Sequence, residues 1–248
     1  MPIRRKAFLI GSSQSRHGQL NGVPRDKDGL KNFMESPSGG AWNSWEIRSF
    51  ETPSRQQLLQ ELSGTAGSAD FVLLHFGGHG CVYDDSDDTT ICLNDQEEIE
   101  VGKLRIRVPK QLLLIDCCRS IIRRVPIEES LEKRAFAAMS MSADRSYAAS
   151  CRAMYDQAVE QAEEGCSIAF SCSPGKAAND DPSFTRGMVL LAEQWSTLAN
   201  PIGHSARRVL NLPTAVGLVS AWLDEKNIIQ VPMVNNGRRI NSFPVAIA

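Results

Sequence analysis

Apolar runs alternate with amphipathic stretches along most of the chain, and their periods assign the elements. "RKAFLIG" (Arg5–Gly11) is an unbroken apolar run bounded by charge and glycine, which predicts a first strand. "DGLKNFME" (Asp28–Glu35) follows as a helix with Leu30, Phe33 and Met34 on one face. "SWEIRSFE" (Ser44–Glu51) predicts a second strand, and "TPSRQQLLQELSG" (Thr52–Gly64) a helix with Thr52 as N-cap, Pro53 at its first position and a glycine stop. "DFVLLHF" (Asp70–Phe76) and "QLLLID" (Gln111–Asp116) are continuous apolar strands of the kind a parallel sheet buries on both faces. Between them, "EIEVGKLRIRV" (Glu98–Val108) alternates around Gly102 and predicts a small antiparallel excursion. The second half predicts a helix over Tyr147–Gly165, a strand over Cys166–Ser173, a helix over Ser183–Trp195 capped by Ser183, and another over Thr214–Lys226. "QVPMVNNG" (Gln230–Gly237) closes the sheet region.

Strands alternating with helices imply βαβ units with right-handed crossovers, hence an α/β fold with a mostly parallel central sheet and helices on both faces. No repeat, low-complexity tract or linker divides the chain, so residues 1–248 are expected to form one domain. In such sheets function gathers at the carboxyl ends of the strands. Two central strands end there in reactive residues: "LLHFGGHG" (Leu73–Gly80) in His79, and "LLLIDCCRS" (Leu112–Ser120) in Cys117 and Cys118.

Composition narrows the class of partner. A net charge of -2, 42% hydrophobic and 23% charged residues describe an ordinary globular protein. Lys and Arg are scattered without interleaved aromatics, which argues against nucleic acid. No apolar run approaches the ~20 residues of a membrane span, and "MPIRRKAFLIGSS" is too short and too quickly polar for a secretory signal, so a cytoplasmic protein is expected. Seven cysteines, two of them adjacent, suit reduced thiols, and no CxxC pair suggests a metal.

A thiol nucleophile needs an imidazole to exchange its proton and backbone N–H donors for the developing oxyanion. The glycines of "GGHG" let the chain turn tightly and expose the Gly80 N–H, which with the Cys118 N–H would make an oxyanion hole. Taken singly, a histidine in a glycine-rich turn is often a loop residue and a cysteine after an apolar strand is usually core; the two at strand ends of one sheet point to a pair. "GSSQS" and "FSCS" offer serines but neither fits GxSxG.

"HFGGHG" with "LLLIDCCRS" resembles the caspase-like cysteine peptidases, and is closer to the metacaspase and bacterial orthocaspase branch (HG, then DxC) than to animal caspases. "KAFLIG", "LNGVPRDKDGLKNFM" (Leu20–Met34), "FSCSPGKAANDDPSFTRGMVLL" and "QVPMVNNGRRINSFPVA" are similar, in the right order, to the family's opening strand, LxGxxxD segment, substrate loop with FT helix, and closing QxP segment. The resemblance implies the caspase-hemoglobinase fold, with residues 1–120 as the large-subunit-like half, 121–165 as an intervening helical segment and 166–248 as the small-subunit-like half.

By that resemblance His79 is the general base and acid, Cys118 the nucleophile, and Cys117 a core neighbour. His75 is expected to be a core histidine, and no motif surrounds His17 or His204. Asp116 matches the DxC aspartate and Asp26 that of LxGxxxD, a carboxylate pair that would read a basic side chain and repel an acidic one. The implied activity is an endopeptidase cleaving protein or peptide substrates after Arg or Lys. Its implied setting is bacterial defence or regulated cell death, as a monomer or homodimer with an activating partner. The chemistry requires no cofactor. The acidic loop Asp84, Asp85, Asp87, Asp88 stands where metacaspases bind activating calcium, and it equally matches a solvated surface loop. Self-cleavage at Arg123, Arg124, Lys133, Arg134 or Arg145 follows from position and residue type alone. One departure stands out: the family's DxCxSG ends here in Arg119, Ser120, Ile121, without its glycine, which questions the loop after the nucleophile and leaves a catalytically silent caspase-fold interaction module as the alternative.

Overall fold

The computed structural model describes residues 3–122, 145–181, 183–199, 208–237 and 239–248. Strand β1 (Arg5–Ser12) leads into a hairpin of β2 (Gln14–Ser15) and β3 (Gly18–Gln19), then helix α1 (Gly22–Glu35). A short 3-10 turn at Ser44–Glu46 precedes β4 (Ile47–Glu51), α2 (Arg55–Thr65) and β5 (Phe71–Gly78). Three short strands follow, β6 (Gly80–Tyr83), β7 (Thr89–Cys92) and β8 (Glu98–Glu100), before β9 (Lys110–Asp116) and β10 (Ile121–Ile122). The second half contributes α3 (Arg145–Gln161), β11 (Gly165–Phe170), α4 (Phe184–Ala199), β12 (Val209–Asn211), α5 (Leu212–Glu225), β13 (Met233–Asn235) and β14 (Pro244–Ile247).

The main sheet runs in the order β13-β11-β9-β5-β1-β4. All its pairs are parallel except β11 with the edge strand β13. The continuous apolar runs explain why. Along β1, Ala7 and Leu9 enter the core on one face while Phe8 and Ile10 enter that on the other, and β5 and β9 divide likewise at Leu73 and Leu74, Leu112 and Leu113. A strand buried on both faces has no polar side to alternate with. Helices α1, α3, α4 and α5 supply the first core, α2 the second. None of the described helices is long and apolar enough to cross a membrane.

Several boundaries differ from expectation. Helix α1 begins at Gly22 rather than Asp28 because its buried stripe runs Val23, Asp26, Lys27, Leu30, Phe33, Met34, and the two charged members disguise the helical period. The cap of α2 is Ser54, whose Oγ accepts the Gln57 N–H at 3.1 Å; Thr52 instead takes φ +41° in the sharp exit from β4. The first part of "SWEIRSFE" is the 3-10 turn, closed by a capping box between Asn43 and Glu46. Beyond Glu100 the expected alternation gives way to a 3-10 turn over Val101–Leu104. Ser183 does cap α4, accepting the Arg186 N–H at 3.0 Å. Among the proposed cleavage sites, Arg123, Arg124, Lys133 and Arg134 lie outside the described residues, and Arg145 opens α3.

Candidate active site

Strands β5 and β9 are neighbours in the sheet, with Gly77 opposite Asp116, so their ends bring His79 and Cys118 to one place. Both residues line a cavity of about 80 Å³, together with Asp26, Asp116 and Asp180. The "GGHG" turn is explained by close approach. A Cβ on Gly78 would lie 2.7 Å from the Phe76 ring, and one on Gly80 2.6 Å from the Cys117 sulfur. Cys117 is accordingly buried, with its N–H donated to Ser171 Oγ at 3.0 Å.

The His79 ring is asymmetric. One side faces the Gly18 backbone, which favours the protonated ring, while Nε2 is buried with no hydrogen-bond partner. Burial, and then the neighbouring His17 ring at 5.8 Å between centroids, push its pKa below the ordinary imidazole value. A neutral imidazole with one nitrogen steadied by backbone and the other unpaired is suited to exchange a proton. Its main chain is fixed by the Cys92 N–H, which donates to the His79 carbonyl at 3.0 Å.

Cys118 is half-buried, and its Sγ accepts the Ala178 N–H at 3.3 Å. The loop after it is anchored by Arg119. That side chain is buried, donates to Thr89 Oγ1 at 2.8 Å and to the Cys172 carbonyl at 3.2 Å, and covers the Phe170 ring at 3.9 Å. Where the resembling motif carries glycine, Ile121 starts β10 and pairs parallel with β6. The loop therefore closes by a strand rather than a glycine turn.

Asp26 and Asp116 are both held by the start of α4. Ser183 Oγ donates to Asp26 Oδ2 at 2.6 Å, while the Thr185 N–H and Oγ1 donate to Asp116 Oδ2 at 2.8 and 2.7 Å. Thr185 Oγ1, spending its proton on Asp116, must accept from His75 Nε2 at 2.9 Å, which fixes the His75 tautomer. Burial pushes the His75 pKa down to about 3, so it is a neutral core histidine as expected. Burial raises both carboxylates, Asp116 to about 6. Arg25 stands 3.5 Å from Asp26, but Asp116 has no ion pair among the described residues. Asp180, inside a "NDD" run without a motif of its own, carried no sequence signal; its Oδ2 accepts the Gly22 N–H at 3.2 Å.

The acidic loop behaves differently from a preformed calcium cradle. Asp88 accepts the Thr89 N–H on one oxygen and the Gly102 N–H on the other, each at 2.8 Å. No three carboxylates of Asp84, Asp85, Asp87 and Asp88 converge within 4.8 Å, so the arrangement described does not fit the six to eight oxygens calcium takes.

The profile of the family described as "Caspase domain" matches residues 4–189. No curated protein sequence matches the chain. Among solved structures, caspase-1 from Spodoptera frugiperda superposes with a TM-score of 0.57 at 15% identity, covering 94% of this chain and 86% of that one. At that identity the likeness is one of fold.

Proposed function

The chain belongs to the caspase-domain family, whose profile supports a caspase-type cysteine peptidase, and from that premise we propose an endopeptidase in which Cys118 and His79 cleave substrates after Arg or Lys. The observation that carries the specificity is Asp116: a buried carboxylate lining the cavity beside Asp26, gripped by α4 yet lacking a cationic partner among the described residues. A guanidinium or ammonium entering there would supply the missing charge, and an acidic side chain would meet like charge.

In this reading Cys118 Sγ attacks the scissile carbonyl as His79 Nε2 takes the thiol proton. The tetrahedral oxyanion is received by the N–H groups of Gly80 and Cys118. His79 then passes its proton to the departing amine, leaving a thioester on Cys118. Water attacks that thioester with His79 as base, releasing the acid and restoring the thiol. A role in bacterial defence or cell death rests on the resemblance to metacaspases and orthocaspases alone.

The test is hydrolysis of fluorogenic peptides ending in Arg, Lys or Asp by wild type and Cys118→Ala, each with calcium and with chelator. Cleavage after Arg or Lys that falls at least about a thousandfold in the variant supports the reading. Cleavage only after Asp overturns the acidic pocket. A wild-type rate lost in chelator would restore calcium to the mechanism. Silence in every lane, with the fold intact, favours a non-hydrolytic caspase-fold module.

A further inference from the structure

A second cluster of reactive side chains sits behind His79, outside the proposed peptidase machinery. His17 forms the tip of the β2–β3 hairpin; Cys92, ending β7, pairs across the strands with Glu98, which begins β8. One ligand atom from each of these three lies within 4.8 Å of the others. They come from two hairpins brought together by the fold, so no CxxC or HxxxH spacing announces them.

We propose that His17, Cys92 and Glu98 form a binding site for a divalent cation of the zinc class. The donor set is one imidazole nitrogen, one thiol and one carboxylate, the mixture a tetrahedral zinc ion takes, with water completing the fourth position. A positive group already bridges two of the three. Arg16 donates through Nε to His17 Nε2 at 3.3 Å and through its other guanidinium nitrogen to Glu98 Oε1. The lone pairs a metal would use are thus already directed at a cation. Arg16 is half exposed, so it can swing into solvent when the ion enters. Glu98 keeps its orientation through Oε2, which accepts from the Tyr83 hydroxyl at 2.8 Å, the outer support that ligating carboxylates ordinarily have. Binding replaces the S–H bond of Cys92 with a metal–thiolate bond and releases the proton to solvent, so affinity rises with pH. The cation would lie on the ring that sits tilted beside His79, 5.8 Å between centroids.

The experiment uses the full chain carrying Cys118→Ala, which removes the half-buried thiol that lines the cavity with His79, and titrates it with Co²⁺ and then Zn²⁺. Expected is one cobalt per chain, with a thiolate-to-cobalt charge-transfer band and the intense visible bands of a four-coordinate ion, both abolished by Zn²⁺. Adding Cys92→Ser removes the charge-transfer band, and His17→Ala weakens binding by at least about tenfold. Arg16→Gln, which removes the competing cation, tightens it. Pale six-coordinate cobalt, or a charge-transfer band that survives Cys92→Ser, overturns the site. Because Cys92 is buried and its variant can misfold, His17→Ala in the half-buried hairpin provides an independent measurement, and unchanged affinity there overturns the proposal as well. The readout does not pass through peptide cleavage, so its failure and that of the peptidase reading are told apart.

Discussion

Asp116 is the side chain on which pH should act first. Its carboxyl is pushed up to about 6 by burial, so it carries charge above that pH and loses it as pH falls through about 6. KM for peptides ending in Arg should therefore be flat above pH 6 and rise below it, while Asp116→Asn holds KM high throughout. His79 is shifted the other way, with burial first among the causes, so its basic form persists to lower pH than an ordinary imidazole's. The acid limb of kcat should lie correspondingly low; separate kcat and KM profiles check both. Gly80 makes a different prediction. Gly80→Ala puts a methyl 2.6 Å from the Cys117 sulfur and 3.0 Å from the Thr90 carbonyl, backbone that cannot yield. Overpacking of this kind costs about 1–3 kcal/mol, readable by denaturant melts, and should displace His79 enough to abolish most cleavage.

At the level of elements, the start of α4 is the part that holds the pocket together. Thr185→Val keeps the Thr185 N–H on Asp116 but deletes the hydroxyl that links Asp116 to His75, leaving a buried imidazole N–H unpaired. A loss of about 1–3 kcal/mol is expected in chemical melts, with KM for basic peptides changed more than kcat. Elements of this kind divide what the sequence discloses from what it hides. The strands β1, β5 and β9 are legible because burial on both faces writes an unbroken apolar run, and the ends of β5 and β9 disclose His79 and Cys118. The first turns of α1 are hidden because Asp26 and Lys27 occupy core positions for the sake of a cavity and an ion pair with Glu51. The partners Ser183 and Thr185 carry ordinary helix-start chemistry, and nothing local says that their hydroxyls reach carboxylates 157 and 69 residues away. His17, Cys92 and Glu98 are hidden for the same reason, being joined only by the packing of two hairpins.

Across the whole molecule, the two halves of the chain divide the work. The proposed nucleophile, base and pocket carboxylates all precede β10, whereas the hydroxyls that hold the two carboxylates, on Ser183 and Thr185, and the Ala178 N–H that meets the Cys118 sulfur follow α3. Gln230 extends that arrangement: buried before the edge strand, it donates to the Ser171 carbonyl at 2.9 Å and accepts the Asn179 N–H at 2.8 Å, tying the loop that touches Cys118 to the end of β11. Gln230→Ala should raise KM through a loosened Ala178–Asp180 loop and lower stability by about 1–3 kcal/mol, measured by peptide kinetics and thermal melts. The division also bears on biosynthesis. A ribosome extends a chain at roughly 5–20 residues per second, so Cys118 is made several seconds before Ser183 and Thr185, and Gln230 later still. Until then Asp26 and Asp116 have no hydroxyls to orient them, and the nascent chain carries its thiol and imidazole without a finished pocket. On the proposed reading, a chain built this way gains a finished pocket only when the last of its sheet has been made.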